Sequence, residues 1–579
     1  MTTRPSRAIR WVLPALVVIA ALIALSPILR NDFVDWDDQT NFIKNTGFHG
    51  LGWPQLTWMA TAFHLGVYQP LAWLAVGIEW AIGGLNPAVY HAASWLFHAA
   101  AAGLVYAVAV LVIGRDAASP ARARYCAAAA ALLFAVHPQR VEAVAWASAQ
   151  GYPLAGAFAA GSVAAYLRAH PSGASAGRWS GWMSVSLVLA VCAYLSKPIA
   201  VTLPAALILL DAYPLRRWRR GEMLRVAAEK LPFAIPAALI AVAAPLARTH
   251  AGLLEGDHYG PLLRVGQAAY GLVFYLWKTI APFDLTFYYP LPLDADPLQT
   301  RFIASALAVL VLIGLIGRLR RHWPGLAAAG LAYAALLSPI LGLIPQGGQL
   351  AADRYTYFAS VPVALLFGGA LYRLWPQITA QAWRRWTAGG LAVAMMVGLG
   401  ALTWRQAEAW KNAGTLWTHA VAAAPGAFQP HNNLGLYHLG RGDSPAALDE
   451  FDRTLRLNPQ SGKAHFNRGL ALAKLGRREE AIAAYRSGLV LRPGDPTARA
   501  HLAELLADAG RWTEAETEYR AAATLAPHAD LFNGLGIALA EQGRLSEAAA
   551  AFRHALSLDP THPDARANLD MALQISPTD

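Results

Sequence analysis

The sequence predicts an all-α protein in two parts, a polytopic helical membrane domain followed by an α-solenoid of repeats. Three observations predict it. Of 579 residues, 56% are hydrophobic and only 14% charged, with mean hydropathy +0.33, whereas soluble domains carry about 25% charged residues. Apolar runs alternate with short Lys/Arg clusters as far as Trp404. Beyond Ala424, prolines, glycines and aromatics recur at one spacing. The net charge of +11 carries the sign of a nucleic-acid binder. The basic residues, however, sit in clusters between apolar runs and form no stripe, which excludes nucleic acid as a partner. Cys126 and Cys192 both lie in apolar runs, which argues against a disulfide scaffold or a zinc site.

The first element follows from Arg4, Arg7 and Arg10, which precede the apolar run 11–29. That run has about the length a spanning helix needs, and no small-x-small cleavage pattern follows it, so it reads as a retained helix with a cytoplasmic N-terminus. Further runs cover 88–113, 125–142, 150–168, 180–196, 199–213, 231–248, 301–317, 324–343, 356–375 and 388–404, for about eleven spans in residues 1–404. Arg115/Arg122/Arg124, Arg168/Arg178, Arg216 to Lys230, Arg318/Arg320/Arg321 and Arg373/Arg384/Arg385 then all fall on the N-terminal side, as the positive-inside rule requires. The outer loop 30–87 contains an aromatic-rich stretch, 51–83. That stretch and 261–283, which carries Arg264, Gln267 and Lys278, read as helices in the outer interface.

An odd number of spans places the C-terminal part outside the cytoplasm. After a linker helix at 405–426, Pro425, Pro459, Pro493, Pro527 and Pro560 recur at spacings of 34, 34, 34 and 33. Gly442/Gly476/Gly510/Gly543, Ala447/Ala481/Ala515/Ala548 and Phe451/Tyr485/Tyr519/Phe552 keep the same phase. This is the tetratricopeptide signature, giving four repeats and a capping helix over 427–575, and such arrays take a peptide or partner protein in a concave groove.

Ionic residues next to apolar runs are functional candidates, because charge is costly at that depth. Asp32, Asp35, Asp37 and Asp38 follow the first helix, His137, Arg140 and Glu142 end the third, Lys197 lies between the fifth and sixth, and Asp353, Arg354 and Tyr355 open the tenth. All map to the outer face, where an active site at the membrane surface would lie. The chemistry they suggest is a carboxylate taking a proton from an acceptor hydroxyl, beside Lys197 and Arg354 holding a departing phosphate. The plainer readings are Lys197 and Arg354 as snorkelling side chains, His137 as a helix cap, Arg140 and Glu142 as an ion pair, and Trp36 as an interface anchor.

The stretches Phe33-Val34-Asp35-Trp36-Asp37-Asp38, Tyr90-His91 through His98, His137-Pro138 through Glu142 to Trp146, Ser196-Lys197-Pro198, Val201-Thr202-Leu203-Pro204, Asp211-Ala212-Tyr213-Pro214-Leu215 and Asp353-Arg354-Tyr355 carry a resemblance. Through them the chain resembles the GT-C class of polytopic glycosyltransferases, within it the protein O-mannosyltransferase-like branch of transmembrane and tetratricopeptide repeat-containing proteins and their bacterial relatives. The resemblance implies a bacterial inner-membrane enzyme that takes a hexose from a polyprenyl-phosphate donor and places it on a polypeptide acceptor outside the cytoplasm. It puts the catalytic acids at the pair Asp37 and Asp38 and the donor phosphate at Lys197 and Arg354, with Asp35, His137, Arg140, Glu142, Asp353 and Tyr355 in support. The chain departs from the family pattern at Gln39 and at Gln139-Arg140, so no metal site is carried over and a divalent cation is left open. Two other readings stand beside it: an O-antigen ligase- or polymerase-like glycan transferase, and a non-enzymatic membrane-anchored repeat scaffold.

Overall fold

A computed structural model describes residues 7–171, 179–250, 260–292, 295–343 and 349–575; Arg4, Arg178 and part of the 344–355 loop lie outside them. The chain divides into two compact units, Met1–His419 and Ala420–Asp579, and the division falls inside the segment read as a linker. Both units are helical, with one exception to the all-α expectation. Tyr289–Pro290 and Gln349–Ala351 pair as a short antiparallel ladder.

Among the described residues of the first unit, five helices are long and apolar enough to cross a membrane: Ile9–Arg30, Pro87–Ile113, Thr300–Leu319, Asp353–Thr379 and Ala382–Ala409. This corrects the expectation of about eleven. The remaining apolar runs do form helices, but several are broken or short. The run at 125–142 stops at Ala135, where His137-Pro138 starts a separate turn, and the run at 180–196 stops at Ser196, before Lys197-Pro198. The residue before a proline is pushed out of helical geometry. Gly181–Ser196 has 16 residues and Leu203–Ala212 has 10. At about 1.5 Å per residue these reach roughly 24 and 15 Å, short of a hydrocarbon core of about 30 Å. Gly151–Ala169 is long enough, but it is rich in glycine and alanine and buried on nearly every face, so it packs as a central core helix.

The stretch 51–83 is a pair of helices, Trp53–Gly66 and Pro70–Gly83, bent by 119° at the break between them. Met59, Trp73, Val76, Phe42 and Phe48 form its apolar core. Pro261–Ile280 is a continuous helix whose Tyr275 is buried and which falls outside the five long apolar helices.

The second unit is an array of helix pairs, Phe428–Gly440 with Ser444–Leu457, Gly462–Lys474 with Arg478–Leu491, Pro496–Asp508 with Trp512–Leu525, and Ala529–Glu541 with Leu545–Leu558, followed by Pro563–Ile575. The 34-residue glycine period has a backbone cause. Gly442, Gly476, Gly510 and Gly543 all have φ between 71° and 82°, the left-handed conformation that ends a helix and that glycine adopts without steric cost. Within a repeat the aromatic of the second helix closes on the first: a Cβ at Gly435 would lie 2.6 Å from the Phe451 ring. Each pair thus buries its apolar stripe against the next, as a repeat array requires.

Candidate active site

Three polar elements meet in the first unit: the loop after the first helix, the Gly151/Lys197 junction, and the turn Asp353–Tyr355. In the first, Asp37 and Asp38 are neighbours in sequence with different surroundings. Asp38 is fully buried and accepts from Val34 N at 3.0 Å, from Ser148 N at 3.1 Å and from the Ser148 hydroxyl. Burial pushes its carboxyl up to about 7, against the lowering effect of these hydrogen bonds. Its oxygens are committed to holding the loop. Asp37 is only partly buried, and Asp35 is exposed on the same turn. Burial raises the Asp37 carboxyl above its usual range, while the positive charges of Arg354 and then Lys197 draw it down. The fold therefore brings Asp37, Lys197 and Arg354 into one electrostatic cluster from positions far apart in the chain.

Lys197 Nζ donates to Gln69 Oε1 at 3.1 Å and lies 5.1 Å from the centre of the Tyr152 ring. It is held by an amide and an aromatic face, and does not extend into a surrounding interface. Burial first, then the Arg354 charge, lowers its ammonium to about 8, with Asp37 acting in the opposite sense. The junction needs glycine at 151, because a Cβ there would sit 2.7 Å from Ser196 O and 3.2 Å from Lys197 Cδ. We expect Gly151→Ala to cost about 1–3 kcal/mol, as overpacking does, and to displace Lys197 from Gln69. A thermal melt checks the first effect and the Lys197 ammonium titration followed by NMR the second.

Arg354 is tied to Glu142, whose carboxylate accepts from the Arg354 backbone N at 2.7 Å and from its guanidinium. The other guanidinium nitrogen donates to Gln349 Oε1 at 3.1 Å, and the group lies over the Trp146 and Tyr355 rings. The plainer reading of Arg140 and Glu142 as an ion pair is thereby set aside. Arg140 is buried and instead donates to Thr356 Oγ1 at 2.6 Å, between the rings of Phe134 and Tyr357. His137 caps the turn Pro138–Arg140 by accepting from Gln139 N, and its Nε2 lies 3.0 Å from Thr279 O. Asp353 is buried and accepts from Tyr289 Oη at 3.1 and 3.2 Å, so His137, Arg140 and Asp353 each have partners of their own away from Asp37 and Lys197. Trp36 is neither a lipid anchor nor an open platform, since it packs against Phe287, Tyr288 and Trp417. Gln69 escapes a search confined to charged groups; the Gln69-Pro70 break in the aromatic-rich stretch was its only signal. Among the described residues no group of three His, Cys, Asp or Glu side chains is placed to share a metal ion.

A largely apolar cavity of about 430 Å³ lies among the same helices, lined by residues such as Val105, Val163, Leu210, Ala332 and Leu366. Three further lining residues, Gly156, Leu203 and Tyr357, follow Gly151, Lys197 and Arg354 within one or two turns of chain. The walls of the cavity therefore continue into the elements that carry the cations.

Fold and site together define a membrane-embedded helical unit with a cation-flanked carboxylate, joined to a helical repeat array. Residues 432–496 and 501–563 match the tetratricopeptide repeat family. The chain is similar to human protein O-mannosyl-transferase TMTC2, at 34% identity over 27% of this chain and 18% of that protein. It is also similar to human protein O-mannosyl-transferase TMTC1, at 25% identity over 69% of this chain and 48% of that one. The chain thus spans less than half the length of the curated relatives it matches. Among solved structures, YrrB, described as a TPR protein with an unusual peptide-binding site, aligns at 24% identity over 27% of this chain and 80% of that one, with a TM-score of 0.25.

Proposed function

We propose that the membrane unit is a glycosyltransferase that moves mannose from a polyprenyl-phosphate carrier to a protein hydroxyl on the extracytoplasmic face. The repeats, on that same side of a bacterial inner membrane, engage the polypeptide acceptor. The observation that carries the reading is that one stretch, 146–152, gathers the three groups: Trp146 lies against Arg354, Ser148 holds Asp38 next to Asp37, and Tyr152 lies against Lys197. The similarity to human protein O-mannosyl-transferases supports the sugar and the acceptor class, and the apolar cavity walled by the helices that follow the cations in the chain suits a prenyl chain.

In this reading the acceptor oxygen bonds to the anomeric carbon as the bond from that carbon to the phosphate oxygen breaks. The hydroxyl proton passes to Asp37, a general base that burial keeps more basic than a free aspartate. Polyprenyl phosphate leaves carrying the negative charge, which the Lys197 ammonium and the Arg354 guanidinium receive. Glu142 holds Arg354 in orientation, while Lys197, held by an amide, keeps its charge available. Asp38 positions the loop and takes no proton in the reaction.

Purified full-length chain incubated with polyprenyl-phosphate mannose and a serine- and threonine-rich peptide should produce mannosylated peptide. Absence of transfer from every polyprenyl-phosphate hexose tried would reject the reading. Its pH dependence follows from the two shifted groups. Asp37 must be ionised, so kcat/KM falls as pH drops through its raised value. Lys197 must be protonated, so kcat/KM also falls as pH rises through about 8. Lys197→Arg keeps the charge at all working pH values and should remove the alkaline limb while leaving the acid limb in place. An alkaline limb unchanged in this variant would mean that Lys197 is not the group responsible.

A further inference from the structure

We propose that the segment 405–419, which ends the last long apolar helix and leads on toward the repeats, positions the reacting groups, with Trp417 and Trp410 as its positioning residues. The proposal rests on the transferase reading of Asp37 and Arg354.

The base of the catalytic loop is fastened to this segment by backbone. Asp32 N donates to Lys411 O at 2.8 Å, and Asn31 Nδ2 donates to Ala407 O at 3.3 Å. Five residues on, Trp36 meets Trp417 edge-on at 5.3 Å between ring centres and Phe287 at 5.6 Å. Trp36 immediately precedes Asp37, so the tryptophan that Trp417 holds fixes the backbone from which the base projects. The opposite wall of this clamp is tied to the same segment, because Gln406 Nε2 and His419 Nε2 both reach Leu285 O, at 3.2 and 2.8 Å. Phe287 then touches Trp410 and Trp417 at 5.6 and 5.1 Å. Trp410 stacks on Trp146 at 6.0 Å, and the Arg354 guanidinium lies 5.3 Å from that Trp146 ring. One stretch of chain therefore backs both the neighbour of the proton acceptor and the platform of the phosphate clamp. Trp410 and Trp417 are each only 1% exposed. Two such side chains in a segment that only joined two parts would have no need of this burial.

Trp417 bears on Trp36 and Phe287, whereas Trp410 carries the Trp146 platform. Truncating Trp417 therefore acts on the distance between Asp37 and the acceptor oxygen and spares the groups that hold the donor. Misplacement by about 1 Å costs a rate factor on the order of 100. In the full-length protein, Trp417→Leu should lower kcat about 100-fold with the KM for polyprenyl-phosphate mannose held within about twofold, while Trp417→Phe recovers most of the rate. In both variants the second readout is amide hydrogen exchange over residues 31–45, which is independent of turnover. Trp417→Leu should exchange faster there than wild type, and Trp417→Phe should stay near it. A Trp417→Leu variant with wild-type kcat, or with raised donor KM and unchanged kcat, overturns the proposal. So does unchanged exchange in the 31–45 loop, even if the wild type transfers no sugar. Absence of transfer by the wild type, by contrast, rejects the transferase reading alone, and the exchange result still decides the positioning role.

Discussion

Asp37→Asn should reduce sugar transfer by about 100- to 10,000-fold, the range general-base catalysis contributes, with folding and donor binding retained. The substitution keeps the side chain's volume and removes its proton acceptor. Folding should survive because Asp37 is only partly buried, and the loop is held by its neighbour. Donor binding should survive because Lys197 and Arg354 keep their own partners, Gln69 and Glu142. Removing the carboxylate also relieves the force that helps hold Lys197 protonated, so the alkaline limb of any residual activity should move to lower pH. Asp38→Asn is the contrasting case. An amide in place of Asp38 presents one oxygen to the Val34 N, Ser148 N and Ser148 hydroxyl donors that two oxygens now share, leaving a buried donor unmatched at a cost of about 1–3 kcal/mol. Its main effect should therefore appear in a thermal melt, with activity lost through the loop. Transfer rates and melts for the two variants measured side by side separate the roles. A fully active Asp37→Asn would remove Asp37 as the proton acceptor.

How far the sequence could reach is visible in this pair. Ionic residues are conspicuous against a chain with so few of them, which is why Asp37, Lys197 and Arg354 stand out. Choosing between Asp37 and Asp38 depends on which way successive peptides turn before the short π-helical turn Gln39–Ile43, and no residue type encodes that. Glu142 has Arg140 two residues away and pairs with Arg354, 212 residues away; adjacency in sequence pointed to the wrong partner. Counting apolar runs gave too many spans for a local reason. The break at His137-Pro138 was readable as a helix stop, yet the alanines and leucines before it carried the run 125–142 across. The runs on either side of Lys197-Pro198 were separated correctly but form helices too short to span. The repeat array was legible in far more detail, because each of its contacts recurs every 34 residues and the turn glycines occupy a conformation that little else adopts. Trp410 and Trp417 had no such signal. An isolated tryptophan near the end of an apolar run reads as an interfacial anchor, and only the packed structure shows Trp36 and Trp146 against them.

The second large effect is expected at Asp211, the acid at the end of helix Leu203–Ala212. Its carboxylate is fully buried and accepts from Arg217 at 3.0 Å, from Lys230 at 2.6 Å and from the Tyr166 hydroxyl at 2.8 Å on each oxygen. Arg217 is also paired with Glu229 at 2.8 and 2.7 Å, so two acids balance two bases in a site where Arg217 and Lys230 are 7% and 3% exposed. Asp211→Asn leaves two buried cations facing Glu229 alone. Breaking a buried pair from one side costs about 3–5 kcal/mol, because the remaining charge stays desolvated. The cost should appear as a large fall in melting temperature in detergent. Lys230→Met should cost less, since Arg217 and Tyr166 still satisfy Asp211. Adding it to Asp211→Asn should recover part of the loss by removing one uncompensated cation, and a double-mutant cycle reads that coupling directly. Function should follow stability here, because the chain between the ends of this brace carries Tyr213, Pro214 and Arg216, all in the wall of the apolar cavity. If the cavity holds the prenyl chain, Asp211→Asn assayed below its melting temperature should raise the donor KM and leave kcat near wild type, the reverse of the pattern expected at Trp417. An additive double mutant, with no recovery, would mean that Asp211 and Lys230 contribute independently and that the buried cluster is not a single unit.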